Sequence, residues 1–305
     1  MLQLFSFDFV QNAFLGGTIV AIVAALVGYF VVLRAQAFAG EALTDIGFAG
    51  ATAAALLGIS SLLGMLGLTL LSALGMGALG NRIRGRDVEI GMVLSFALGL
   101  GVLFLSIYTQ ESASHANAGI NVLFGSVLSI TRTDVYLALG CSILVLIVLA
   151  FLFRPLLFAS IDPTVAEARG VPVRLLSTLF LLLVAATVAE SVLIVGVLLV
   201  TALLIAPAAA AVNITHRPRT SLILAVVFSL GITWGGLVLA FVGTVRHLPV
   251  GFYIATLATL CYLASVFIGR KLSPHRVRVE PAPCQGCQDK DVPVVKIKVA
   301  EPVQQ

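Results

Sequence analysis

Charge is what this sequence has least of. Asp, Glu, Lys and Arg make up 10% of its 305 residues, where soluble domains carry about 25%. So little polar surface cannot cover a water-exposed globule of this length, which excludes a soluble enzyme. Tryptophan occurs once and histidine and cysteine four times each. Two of the cysteines, Cys141 and Cys261, lie inside apolar blocks, where a free thiol behaves as a small hydrophobe. Lys and Arg are absent from the first 33 residues, so the basic n-region of a cleavable signal peptide is missing and the first apolar block is expected to remain as a helix. No Lys follows a Gly-rich loop, and neither H-E-x-x-H nor G-x-S-x-G occurs, so the chain has no ATPase motif of its own. The stretch Gly75-Met76-Gly77-Ala78-Leu79-Gly80 matches a dinucleotide fingerprint, but it closes an apolar helix instead of joining a strand to a helix, which favours packing over nucleotide binding.

What the sequence does have is apolar residues, 60% of the total at a mean hydropathy of +1.11. They come in blocks of about 20, the length that spans a bilayer as a helix, and not in the alternation of a barrel. The expected fold is all-α: a polytopic membrane helix bundle of about nine spans, at 13–33, 38–58, 59–79, 88–108, 134–153, 173–189, 192–212, 220–242 and 251–269. The second and third spans must turn sharply at 58–61, and the sixth and seventh around Glu190 and Ser191. The Gly- and Ala-rich spans allow close backbone approach where no hydrophobic force drives helices together.

The net charge is +4, yet the basic residues sit singly or in short groups between spans, a pattern that speaks for topology and against nucleic acid. With the N-terminus outside, one membrane face receives Arg34, Arg82, Arg84, Arg86, Arg154, Arg169, Arg174, Arg217, Arg219, Arg270 and Lys271. The other receives only Arg132 and Arg246. The first face is therefore expected to be cytoplasmic. An odd number of spans places the C-terminus there too. The chain divides into a membrane domain, 1–272, and a polar Pro-rich tail, 273–305, expected to be mostly disordered.

Three carboxylates within or between the apolar blocks need explaining, since an ionisable group at membrane depth costs several kcal/mol unless it faces a cavity or a partner. Glu41 and Asp45 are four residues apart, one above the other on a helix face, where like charges repel unless a cation or a shared proton lies between them. The alternative is a hydrated Glu41 paired with Arg34 and an Asp45 hydrogen-bonded within the bundle. Glu190 is either functional or the cap of a tight outer turn. The polar exterior stretch 110–117 reads as a solvated loop that could also collect cations. In the tail, Cys284-x-x-Cys287 could bind a soft metal or cycle its redox state, although two ligands do not complete a tetrahedral site.

The segment 33–50, LRAQAFAGEALTDIGFAG, resembles the second-helix signature of the zinc/manganese (ABC-3 type) permeases of bacterial ABC importers. In order, LFGSVL at 123–128 looks like the family's central block, DPTVAEARGV at 162–171 like its cytoplasmic loop, and VGVLLVTALLIAPAAA at 195–210 like its most recognisable helix. The likeness runs from about residue 14 to 271. It implies a multi-pass permease of the bacterial plasma membrane that dimerises, docks a cytoplasmic ATPase through a coupling loop containing Asp162, Ala166 and Gly170, and receives divalent metal from an extracytoplasmic binding protein. No permanently bound cofactor is implied; zinc or manganese is the cargo. One departure stands out. The family's second helix usually pairs an acid with a His four residues later, whereas this sequence has Glu41 and Asp45. Oxygen-only ligands shift preference toward harder ions such as manganese without excluding zinc. Glu190 falls where the family is ordinarily apolar and could be a replacement ligand. The competing readings are an autonomous carrier or channel for divalent cations and a membrane scaffold whose acids are structural. A siderophore or cobalamin permease would need a wide aromatic path, of which the lone Trp234 gives no sign.

Overall fold

The structure is a computed structural model that describes residues 8–79, 86–111, 132–215, 217–242 and 250–272. These form ten helices: α1 (Asp8–Leu33), α2 (Ala37–Leu56), α3 (Ser61–Leu79), α4 (Arg86–Glu111), α5 (Arg132–Ile161), α6 (Pro163–Ala168), α7 (Val173–Val195), α8 (Val197–Ile214), α9 (Pro218–Val242) and α10 (Val250–Leu272). No strand occurs among the described residues.

Eight of the nine long helices are long and apolar enough to cross a membrane; the ninth, α2, is not. The nine long helices lie where about nine spans were expected, and what sets α2 apart is composition. Glu41, Asp45 and many small residues dilute the apolarity of α2, yet fourteen of its 20 residues are buried. Helix α2 is held by its neighbours α3, α4, α7 and α8, not by a lipid-facing surface of its own. Its fit depends on small residues. A Cβ at Gly50 would lie 2.5 Å from the Gly64 carbonyl oxygen, so the backbones of α2 and α3 approach as only glycine allows.

Helix α1 forms the other centre, packing on α5, α7, α8 and α9. Its Phe30 meets Phe153 of α5 edge-on at 5.5 Å and Phe180 of α7 at 6.3 Å, the geometry that aromatic quadrupoles favour. Large apolar side chains point outward instead, including Phe151, Leu71 and Phe96. In lipid such exposure carries no penalty, which is why the hydropathy of these helices says little about which side faces the core.

The turn at 58–61 is present, with α2 ending at Leu56, Gly58 at φ 68° and α3 starting at Ser61. The turn expected around Glu190 and Ser191 is not there. Helix α7 runs on to Val195, and the break falls at Gly196, whose φ of 92° is left-handed. Glu190 therefore caps nothing. It lies inside a helix.

Candidate functional site

On α2 the four-residue spacing of Glu41 and Asp45 places both carboxyl groups on one face, close enough to feel each other's charge. Asp45 is 8% exposed and Glu41 half-buried. The hydroxyls of the same helix are satisfied locally: Thr44 Oγ1 donates to the Gly40 carbonyl at 2.9 Å and Thr52 Oγ1 to that of Phe48 at 3.0 Å. Neither carboxylate has a hydrogen-bond or ion-pair partner among the described residues. The alternative pairing of Glu41 with Arg34 is not formed. Arg34 donates to Ser177 Oγ and lies 5.5 Å from the centre of the Phe180 ring. Two unpartnered carboxylates on a buried helix form an acceptor-only surface, which attracts a cation that brings its own positive charge.

Glu190 is elsewhere. No group of three or more His, Cys, Asp or Glu side chains among the described residues is arranged to hold a metal ion, so Glu190 does not join Glu41 and Asp45. It is 1% exposed, and its Oε1 accepts a 2.8 Å hydrogen bond from Ser142 Oγ of α5, while Oε2 has no partner. Ser142 is the partner that sequence reading missed; one hydroxyl in a long apolar run carries no signal of its own. The pair ties α5 to α7 inside the bundle. Ser142→Ala should strand the whole carboxyl and lower the unfolding free energy by about 1–3 kcal/mol, the usual cost of an unsatisfied buried polar group, whereas Glu190→Gln keeps an acceptor for Ser142 and should cost less. Thermal melts in detergent decide between them, and equal melting of wild type and Ser142→Ala would show that the bond contributes nothing.

Within the segment from Asp162 to Gly170, Pro163–Ala168 form the short helix α6, with Ala166 inside it and Asp162 and Gly170 bounding it. Asp162 is the N-cap of α6: its Oδ1 accepts from the Thr164 and Val165 amides at 3.0 and 3.1 Å and from Thr164 Oγ1 at 2.7 Å. The Thr164 hydroxyl first, then the Val165 amide, hold the Asp162 carboxyl below the usual carboxylate range. Because that pKa is lowered, the cap is fully present above about pH 4 and is lost only as pH falls through the lowered value. Pro163 occupies the first helical position, where its missing N–H costs nothing. At the other end Val171 N donates to the Ala166 carbonyl and Gly170 N to that of Glu167, with Gly170 at φ 82°, a Schellman closure that places glycine in the left-handed region. Ala166 is fully buried while its neighbours are exposed. One small side chain anchors α6 against α5 and α7, and the rest of its surface is free to meet another protein.

The chain matches the ABC 3 transport family over residues 6–269. It belongs to that family. As an ABC 3 family member it is a multi-pass permease subunit of the bacterial cell membrane. Among its relatives, the manganese import system permease protein ScaB of Streptococcus gordonii is 30% identical over 269 residues, covering 88% of this chain and 94% of the relative. A Haemophilus influenzae protein named "Probable iron transport system membrane protein" is 29% identical over 282 residues, 92% and 98% of the two chains. In structure the permease is similar to a chain of PsaBC from Streptococcus pneumoniae solved in complex with Fab, at a TM-score of 0.76 and 28% identity, covering 88% of this chain and 95% of that one. The block at 123–128 that resembles the family, the polar stretch from residue 112 to 117, and Cys284 and Cys287 lie outside the described residues.

Proposed function

We propose that this ABC 3 family permease imports a hard divalent metal ion, manganese in preference to zinc, along the face of α2 that carries Glu41 and Asp45. The observation that carries the reading is the pair of unpartnered carboxylates at helical spacing on a buried helix. Two carboxylate oxygen donors without imidazole or thiolate suit manganese better than zinc. Two protein ligands also leave most of the coordination shell to water, which keeps binding weak enough for the ion to leave, as transit requires. Relatives named for manganese and for iron support a divalent cargo of this class. The metal is cargo, and no permanently bound cofactor is needed.

Energy comes from a separate ATPase subunit pressing on α6 at the cytoplasmic face, and metal arrives from an extracytoplasmic binding protein. The functional permease is a homodimer with the N-terminus outside and the tail, 273–305, cytoplasmic and dispensable for uptake. Asp162, Ala166 and Gly170 form the coupling element, while the Cys284–Cys287 pair takes no part in transport. Reconstitution into vesicles with and without the ATPase partner, using radiolabelled manganese and zinc, tests the core of this. Uptake should require both the partner and ATP and should favour manganese. Uptake by the purified permease alone, driven by the ion gradient, would establish the autonomous carrier instead.

The orientation has its own check. A cysteine placed at Ser114 should react with a membrane-impermeant maleimide from outside intact cells, and one at Ser273 only after the cells are opened, as the asymmetry of Lys and Arg requires. Labelling of both from one side would refute the proposed topology.

A further inference from the structure

Helix α5 carries a stripe of exposed apolar side chains, Leu144, Ile147, Phe151, Phe158 and Ile161, at the three- and four-residue spacings that keep them on one helical face. Arg154 interrupts that stripe, three residues after Phe151 and four before Phe158. An exposed guanidinium on an otherwise lipid-facing surface needs a counter-charge, and the described residues supply none. Among the described residues no carboxylate pairs with Arg154, nor with Arg217 or Arg219 at the start of α9.

All three arginines line one cleft of about 700 Å³ between the end of α5 and the start of α9. Its walls are apolar on the α5 side, with Phe153, Leu157 and Phe158, and among the described residues no acidic one lines it. Helix α5 has 30 residues, about ten more than the hydrocarbon core of a bilayer requires, which leaves its end near the headgroups. The cleft therefore combines a cationic rim with an apolar wall that continues down the helix.

We infer that this cleft binds an anionic glycerophospholipid, its phosphate held by Arg154, Arg217 and Arg219 and one acyl chain laid along Phe151, Ile147 and Leu144. An acidic protein segment would satisfy the arginines but not the apolar stripe below them, and a free phosphate would leave the apolar wall uncovered. Basic pockets between membrane helices are suited to such headgroups. The cleft reaches Ile161, one residue before the cap of α6, so a lipid there abuts the coupling helix and braces it.

The test is lipid retention by the full-length permease assembled with its ATPase, measured by native mass spectrometry after release from detergent micelles supplied with phosphatidylglycerol or phosphatidylcholine. Phosphatidylglycerol should be retained and phosphatidylcholine lost. Each arginine near an anionic headgroup contributes about a fivefold factor in affinity, so Arg154→Gln should weaken retention about fivefold and the triple Arg154→Gln, Arg217→Gln, Arg219→Gln variant on the order of a hundredfold. Arg154→Lys, which keeps the charge, should retain the lipid, and Arg154→Gln alone carries the test if the triple variant does not fold. Equal retention of both lipids, or of phosphatidylglycerol by wild type and Arg154→Gln, overturns the proposal. So does displacement of the lipid by millimolar inorganic phosphate, which would indicate a free-anion site, or loss of the ATPase subunit in place of the lipid, which would indicate a protein contact. No metal enters the measurement, so its outcome is independent of which ion is transported.

Discussion

Asp45→Asn should lower metal uptake by roughly ten- to a hundredfold, the factor that follows from losing one charge-assisted contact of about 1.5–3 kcal/mol. The fold should survive the change. Asp45 is buried, with Glu41 four residues away on the same helix and no hydrogen-bond or ion-pair partner among the described residues, so neutralising it relieves repulsion and removes an uncompensated buried charge. The melting temperature should stay level or rise while transport falls, which separates a transport role from a structural one. Glu41→Gln should act in the same direction and less strongly, because Glu41 is half-buried and partly hydrated. Asp45→His should restore uptake and move preference toward zinc, since imidazole suits that ion. Competition uptake of zinc against manganese, normalised to membrane protein level, measures all three variants. Wild-type uptake and selectivity in both Glu41→Gln and Asp45→Asn would make these acids structural and end the proposed path.

Asp162→Lys and Gly170→Trp should each cut ATP-driven uptake by roughly tenfold to a hundredfold, the scale on which small misplacements of a working element cost function. The two act at opposite ends of α6. Lysine removes the oxygen that accepts from Thr164 and Val165 and sets a positive charge at a helix N-terminus, where the macrodipole opposes it. Tryptophan at Gly170 meets open space but must adopt a φ of 82°, which side chains other than glycine resist. Neither position packs into the membrane core, so insertion should be normal. ATP hydrolysis by the assembled transporter should continue without matching uptake, as expected when a rigid contact no longer carries the motion of the ATPase into the bundle. Uptake per ATP hydrolysed, measured in proteoliposomes, reports this directly. If both variants transport normally, α6 is not the coupling element.

The elements of α6 were all present in the sequence as an Asp-Pro start and a Gly end, the signals of a capped helix. The segment nevertheless read as a loop, because six residues are too few to show a periodicity. Glu41 and Asp45 were legible for the opposite reason. Their relation is internal to one helix, and a spacing of four places them on one face whatever surrounds it. The departure from the family's acid and histidine was equally visible, being a matter of identity at one position.

The sequence by itself determined a chain of membrane-spanning helices, the approximate extent of each and the acidic face of the second, because length, apolarity and helical periodicity are local properties. The tertiary structure decided which of those helices are enclosed, and α2, whose apolar stretch falls short of those of the other eight long helices, is among them beside α1 and α7. It also decided that Glu190 meets Ser142 within the bundle instead of capping a turn, and that Arg154 shares a cleft with Arg217 and Arg219. Each of these depends on how separate helices are rotated and brought together. Nearly all the side chains that could set that rotation are apolar, and in lipid an apolar side chain is at home on either face. The choice is left to close packing of small residues such as Gly50 against Gly64, a property of pairs of helices that no single stretch of sequence contains.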